Sequence, residues 1–157
     1  MTPLERLRGR LFVGFGLLTR AMTLGVRCMV IDERADGPHV LLVRHSYVGG
    51  LHLPGGGVER GESVWDAVEK EVREETHVRL RRPPALHGFY RNARTSRFDH
   101  VALFVARDWT VPAPFRPTRE ITECAFHPAH ALPADTTAAT RDRVAEVLHG
   151  RATASDW

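Results

Sequence analysis

The sequence predicts one α/β domain built on a mixed β-sheet with two principal helices. Three observations carry that reading. Runs of apolar, β-branched-rich residues stand on both sides of one long amphipathic helix. A second helical pattern follows the last strand. The chain has 157 residues, which suits one domain and lets it bury roughly two-thirds of its unfolded surface without disulfide or metal staples.

The elements follow in order. Leu4, Leu7, Leu11, Phe15 and Leu18 recur at helical spacing among Arg6, Arg8, Arg10 and Arg20, so residues 1–20 form an N-terminal amphipathic helical segment. Its apolar stripe packs on the domain or on a second subunit, the basis for a homodimer. A basic amphipathic segment over residues 4–20 resting on a membrane surface is the other reading. Residues 23–31 and 39–44 read as strands joined through the polar turn Asp32–Pro38, a hairpin. Leu51-His52-Leu53 leads into Pro54-Gly55-Gly56-Gly57, a loop that no regular element crosses. Ser63, with Asp66 three residues on as capping-box partner, starts a helix over 63–76. Pro83-Pro84 breaks the chain before strands at 85–92 and 100–107, which flank a polar, Arg-rich loop. Pro112, Pro114 and Pro117 make 108–119 a loop, and residues 123–127 form a short strand. The closing helix spans 136–149, with Val144, Val147 and Leu148 on its apolar side. The domain therefore runs over 21–150, with 151–157 as a C-terminal tail.

Composition excludes several classes. No run of 18 apolar residues suggests a membrane span, and the short apolar stretch 11–18 lacks a signal-peptide cleavage site. Cys28 and Cys124 are far apart and show no metal spacing, so free thiols in a reducing cytoplasm are expected. The 22 basic residues, 21 of them Arg, exceed 19 acids, for a net charge of +3. The arginines are dispersed, and no helix-turn-helix, zinc-finger or RNA-binding pattern accompanies them, so no nucleic-acid partner is expected.

The chemistry lies in residues 54–78. Stepping 100° per residue from Val64 puts Val68 at about 40° and Val72 at about 80°. Glu71 falls at about 340°, Glu75 at about 20° and Glu74 at about 280°. Two carboxylates thus share the face that the valines mark as buried. Like charges three or four residues apart repel, and desolvation adds to the cost. A hard divalent cation offsets both, because Mg²⁺ takes carboxylate oxygens and keeps waters for a phosphate ligand. The three glycines let a backbone approach a ligand or metal without a Cβ in the way. Glu62, just before the N-cap, fits a cap, an ion-pair partner or a ligand equally.

The segment from Gly56 to Val78 resembles the Nudix box, G-x5-E-x7-R-E-U-x-E-E-x-G-U with U apolar. It reads Gly56, Glu62, then Lys70-Glu71-Val72-Arg73-Glu74-Glu75-Thr76-His77-Val78. Seven of nine defined positions match; Lys70 replaces Arg and His77 replaces Gly. The resemblance implies a Nudix-type α/β/α sandwich. It also implies a divalent-metal-dependent hydrolase that cleaves a nucleoside diphosphate linked to another group, by water attack on phosphorus with Mg²⁺ or Mn²⁺. By matched position, Glu71, Glu74 and Glu75 are the metal-site carboxylates, with the Gly56 carbonyl completing the shell. Glu71 or Glu75 serves as base, and Lys70 orients its neighbour. Many family members add an acid from outside the box; Glu120 is the first candidate, then Glu123 and Asp99.

The departures have physical content. Lys70 offers a point charge where Arg offers a planar fork. His77 in a left-handed helix end would be strained by about 1 kcal/mol. They motivate an alternative: a Nudix-fold module that binds or senses a nucleotide with little or no hydrolysis. On the substrate side, Arg44, His45 and Tyr47 follow a strand close to the glycine loop. Arg91, Arg94 and Arg97 lie beside Tyr90 and Phe98 in the later loop. Guanidinium groups grip phosphate oxygens in pairs, and an aromatic can stack on a base. Residues 55–78 hold seven acids and three bases, net −4, against +7 for the rest of the chain. An acidic metal patch in a basic surround suits a small metal–diphosphate complex better than a nucleic acid.

Overall fold

The computed structural model describes residues 21–157, so the expected helix over 4–20 lies outside the described residues. The elements are β1 (Thr23–Arg34), β2 (Gly37–His45), α1 (Val64–Thr76), β3 (Arg79–Leu80), β4 (Ala85–Arg91), β5 (Asp99–Ala106), β6 (Trp109–Thr110), β7 (Ile121–Pro128) and α2 (Ala138–His149). Five strands form one sheet in the order β4-β5-β1-β2-β7, and β3 pairs with β6 in a separate ribbon. β1 and β5 run parallel, whereas β1–β2, β2–β7 and β4–β5 are antiparallel. The expected mixed sheet is therefore present.

Both faces of the sheet are covered, which is why its central strands read as near-continuous apolar runs rather than alternating ones. On one face Val26, Cys28, Val30, Leu41 and Phe104 pack with Ala67, Val68 and Val72 of α1. On the other, Met29, Ile31, Val40, Leu42 and Leu103 pack with Val144 of α2, while Val147 and Leu148 lie against the same cluster. Alternation along β1 thus splits its side chains between two helices and produces the α/β/α layering. Each fully buried Val contributes roughly 1.5–3 kcal/mol.

The helix starts are those that the capping residues predict. Ser63 accepts from the Asp66 amide, and Asp66 reaches back to the Ser63 amide. The closing helix begins two residues later than expected, at Ala138, because Thr137 serves as its cap. β1 and β2 extend through the polar stretch to Arg34↔Gly37, leaving only Ala35 and Asp36 as the turn. Gly37, at φ 113°, makes that tight reversal practicable. The late strand is likewise longer than residues 123–127, since its register with β2 continues to Ile121. The loop over 108–119 contains β6, which local sequence did not announce. Trp109 donates to the Ile31 carbonyl at 2.8 Å and stacks on Phe126, so tertiary partners hold it.

Residues 151–157, set apart as a tail on the sequence, dock on the domain. Arg91 donates its amide to Ser155, and Trp157 donates its own to Arg91, so the segment runs beside the end of β4. Trp157 then packs edge-on against Tyr90 with ring centroids 5.5 Å apart. Both cysteines are free thiols. Among the described residues, no helix is long and apolar enough to cross a membrane.

Candidate metal centre and adjoining cleft

The glycine loop is placed by backbone pairing. β1 pairs with β5 over Thr23–Val30 and with β2 only from Ile31 onward. Its free side is filled by Pro54–Val58: the amides of Val26 and Cys28 donate to the carbonyls of Gly56 and Pro54, and Val58 donates to Leu24. This contact decides two of the three glycines. A Cβ on Gly55, whose φ is 148°, would lie 2.0 Å from the Val26 carbonyl oxygen. A Cβ on Gly56 would meet the Glu71 carboxylate at 2.6 Å. Gly57 has open space around its Cβ position. Gly56 is thus absent of side chain where the Glu71 carboxylate sits.

Helix α1 presents its glutamates unequally. Glu75 is buried, Glu71 is half-buried and Glu74 is exposed. Glu75 Oε2 accepts from the Gly55 amide at 2.8 Å, which ties the helix to the loop. Its Oε1 faces His45 Nε2 at 3.7 Å. His45 stands at the end of β2 beyond a register shift, and the Ser46 amide donates to the Glu120 carbonyl. Donor atoms of His45, Glu75 and Glu120 all lie within 4.8 Å of one another. Of the three acids expected from outside the box, Glu120 is the one that stands in this group. Glu120 accepts a long bond from the Tyr47 hydroxyl at 3.4 Å, whereas the other two candidates have closer partners: Glu123 accepts from Arg44 at 2.8 Å, and Asp99 accepts from Thr23 and Asn92. Glu74 is exposed, lies 3.6 Å from Arg73 and is not part of this group.

The electrostatics suit a bound cation. Burial pushes the Glu75 carboxyl up to about 7, opposed by the Gly55 amide and Arg27. Burial also raises Glu71, against the pull of Lys70. Burial, then the Arg27 charge, hold the His45 imidazole down to about 4. At neutral pH the His45–Glu75 approach is therefore a neutral imidazole beside a carboxyl whose charge is costly, not an ion pair. Both His45 ring nitrogens are buried without a hydrogen-bond partner. Oxygen donors from Glu75 and Glu120 converge there, with Glu71 one helical turn away beside Gly56, and carboxylate oxygens are what a divalent cation takes.

Lys70 and His77 both find places without disturbing this arrangement. Lys70 Nζ lies 3.0 Å from Glu62, 3.2 Å from Glu59 and 3.9 Å from Glu71. Glu62 also accepts the Glu59 amide at 3.0 Å, and this bond, with Lys70, holds its carboxyl below the usual range. Of the three roles open to Glu62, the structure shows it as an ion-pair partner. His77 takes φ 62°, the left-handed conformation that the family's glycine would take, and its amide still closes the helix on Arg73.

A cleft of about 580 Å³ opens beside His45. Tyr47 and Arg94, both expected at the substrate, line it with His45. The remaining three arginines are engaged elsewhere. Arg44 bridges Glu123 and Asp135 at 2.8 and 2.7 Å, Arg91 pairs with Asp156 at 2.7 Å, and Arg97 lies over the Phe98 ring at 4.6 Å. The sequence reading missed Arg27, His52 and Trp157, which also line the cleft. Arg27 donates to the carbonyls of Leu53 and Gly55 at 3.0 and 2.9 Å. One signal could have found it: a lone charge inside the apolar run Val26–Ile31. Trp157 carries no such signal, since only the docking of its segment brings it there.

Comparison with known proteins gives a consistent result. The family model described as NUDIX domain matches residues 22–148. An RNA pyrophosphohydrolase from Azorhizobium caulinodans is 33% identical over 79 residues, which is 50% of this chain and 42% of that protein. The chain thus matches less than half the length of that relative. Among solved structures, a MutT NUDIX hydrolase from Burkholderia pseudomallei superposes with a TM-score of 0.66 at 24% identity, covering 80% of this chain and 97% of the other. An ADP-ribose pyrophosphatase from Streptococcus suis superposes with a TM-score of 0.56 at 24% identity, covering 85% and 96%.

Proposed function

The chain belongs to the Nudix family of hydrolases, and on that premise we propose that it cleaves a diphosphate linkage in a nucleoside diphosphate joined to another group. Water attacks one phosphorus. Glu71, Glu75 and Glu120, with the Gly56 carbonyl, would hold Mg²⁺ or Mn²⁺; Glu74 is an outlying candidate. When bound, the cation neutralises phosphate charge and lowers the pKa of water. The chain's own residues do the rest. The Gly55 amide fixes Glu75 through one oxygen and leaves the other free. Glu71 or Glu75 accepts the proton of the attacking water. Lys70 holds the charge balance beside Glu71. In the cleft, Arg94 meets phosphate oxygens, and Tyr47 offers a face to a base.

The observation that carries this reading is the convergence of Glu75, Glu120 and the unpartnered His45 at the mouth of a cleft lined by Arg27, Arg94 and Tyr47. The names of similar proteins, an RNA pyrophosphohydrolase and an ADP-ribose pyrophosphatase, support a pyrophosphate bond as the one cleaved. Free thiols at Cys28 and Cys124 support a cytoplasmic setting. The alternative, binding without hydrolysis, rested on Lys70 and His77, and neither displaces a site glutamate.

A panel of nucleoside triphosphates, sugar nucleotides, dinucleotides and non-nucleoside diphosphates, assayed with Mg²⁺, Mn²⁺ or EDTA, tests the proposal. Metal-dependent release of a phosphate-bearing product is expected. Binding of a nucleotide with no cleavage of any compound would refute it.

A further inference from the structure

We infer that His45 is itself a ligand of the cation, so that this site carries a nitrogen donor and favours Mn²⁺ and Co²⁺ over Mg²⁺. The inference rests on the reading above that Glu75 and Glu120 hold a cation, and extends it to the identity of that cation.

The geometry supplies three observations. The His45 side chain is 3% exposed, yet neither ring nitrogen has a hydrogen-bond partner. Leaving a buried polar atom unpaired costs about 1–3 kcal/mol, so an imidazole in this state calls for a partner that the polypeptide does not supply. Its Nε2 is 3.7 Å from Glu75 Oε1, too far for a hydrogen bond but a suitable separation for two atoms sharing one ion. Finally, Glu75 Oε2 is already committed to the Gly55 amide, and Oε1 is the oxygen turned to His45. A nitrogen and two carboxylates from three elements, β2, α1 and the approach to β7, therefore face one point.

Ligand chemistry then sets the preference. Mg²⁺ demands oxygen ligands and dehydrates reluctantly, whereas imidazole suits first-row transition metals. The position of His45 is also maintained from outside the cluster. The Tyr47 ring lies 5.2 Å from it, and the Ser46 backbone is tied to Glu120.

Pulsed electron paramagnetic resonance of the metal-stripped, full-length protein loaded with Mn²⁺ tests this directly. Coupling of the Mn²⁺ spin to a nitrogen nucleus is expected in the wild type, retained in His52→Gln and lost in His45→Gln. Titration should show His45→Gln losing about tenfold or more in Mn²⁺ and Co²⁺ affinity, while Mg²⁺ affinity changes by less than about threefold. Mn²⁺ bound without nitrogen coupling overturns the inference, as does coupling that survives in His45→Gln or disappears in His52→Gln. Failure of the protein to bind Mn²⁺ overturns it too. Should His45→Gln not fold, the wild-type and His52→Gln spectra decide the question. The two proposals fail separately. Hydrolysis with Mn²⁺ but no nitrogen coupling removes His45 and keeps the enzyme; nitrogen coupling with no cleavage of any compound does the reverse.

Discussion

Glu146→Gln is expected to be among the most destabilising single changes outside the His45–Glu75–Glu120 group. The Glu146 and Arg143 side chains are 1% and 2% exposed, and their charged groups meet at 2.7 Å within α2. Glu146 accepts three hydrogen bonds: from Arg143 at 2.7 Å, from the Ala154 amide at 2.9 Å and from the Tyr90 hydroxyl at 2.7 Å. It therefore joins α2 to β4 and to the docked segment 151–157. Glutamine keeps an acceptor but removes the charge, leaving the Arg143 guanidinium buried with only the Asp156 carbonyl and the Tyr90 and Trp157 rings about it. Breaking one side of a buried pair costs about 3–5 kcal/mol. For a chain of this size that lowers Tm by roughly 6–20 °C. Urea and thermal denaturation followed by circular dichroism measure both quantities. The double change Arg143→Met with Glu146→Leu removes both charges and should be less damaging than the single one. A loss below about 1 kcal/mol for Glu146→Gln would refute the reasoning.

Three further outcomes follow from particular contacts. Gly55→Ala, with its Cβ 2.0 Å from the Val26 carbonyl and a φ of 148°, should cost at least about 3 kcal/mol or prevent folding, whereas Gly57→Ala should stay within about 0.5 kcal/mol in the same denaturation assay. Glu75→Gln should abolish metal-dependent turnover while the circular dichroism spectrum is retained; undiminished turnover would move the centre elsewhere. Burial pushes the Cys124 thiol up to about 12 and raises Cys28 as well, so the native protein at pH 8 should react slowly with a thiol reagent. Both thiols should become reactive on unfolding; rapid native labelling would contradict the burial of Cys28 and the partial burial of Cys124.

Elements whose causes are local can be read from the residues alone. The Ser63–Asp66 capping box, the hairpin residues and the wheel that put Glu71 and Glu75 on the valine side of α1 all involve neighbours a few residues apart, and each was legible before any fold was known. Even Glu74, at the edge of that wheel, shows where the approximation ends: about 100° per residue separates it from the buried Glu75, and it faces solvent. What depends on partners far along the chain is set only once the sheet is assembled. The acids and arginines that the sequence offers as candidates are sorted by where the sheet brings them. Glu120 reaches His45 and Glu75, while Glu123 and Arg44 neutralise one another across β2 and β7. Arg27 reads as part of a strand until the glycine loop supplies carbonyls for its guanidinium. Trp157 reads as a tail until Tyr90 and Arg143 give it a seat. A charged or polar group settles where its solvation is replaced, and in this chain most of the replacing groups are tens of residues away.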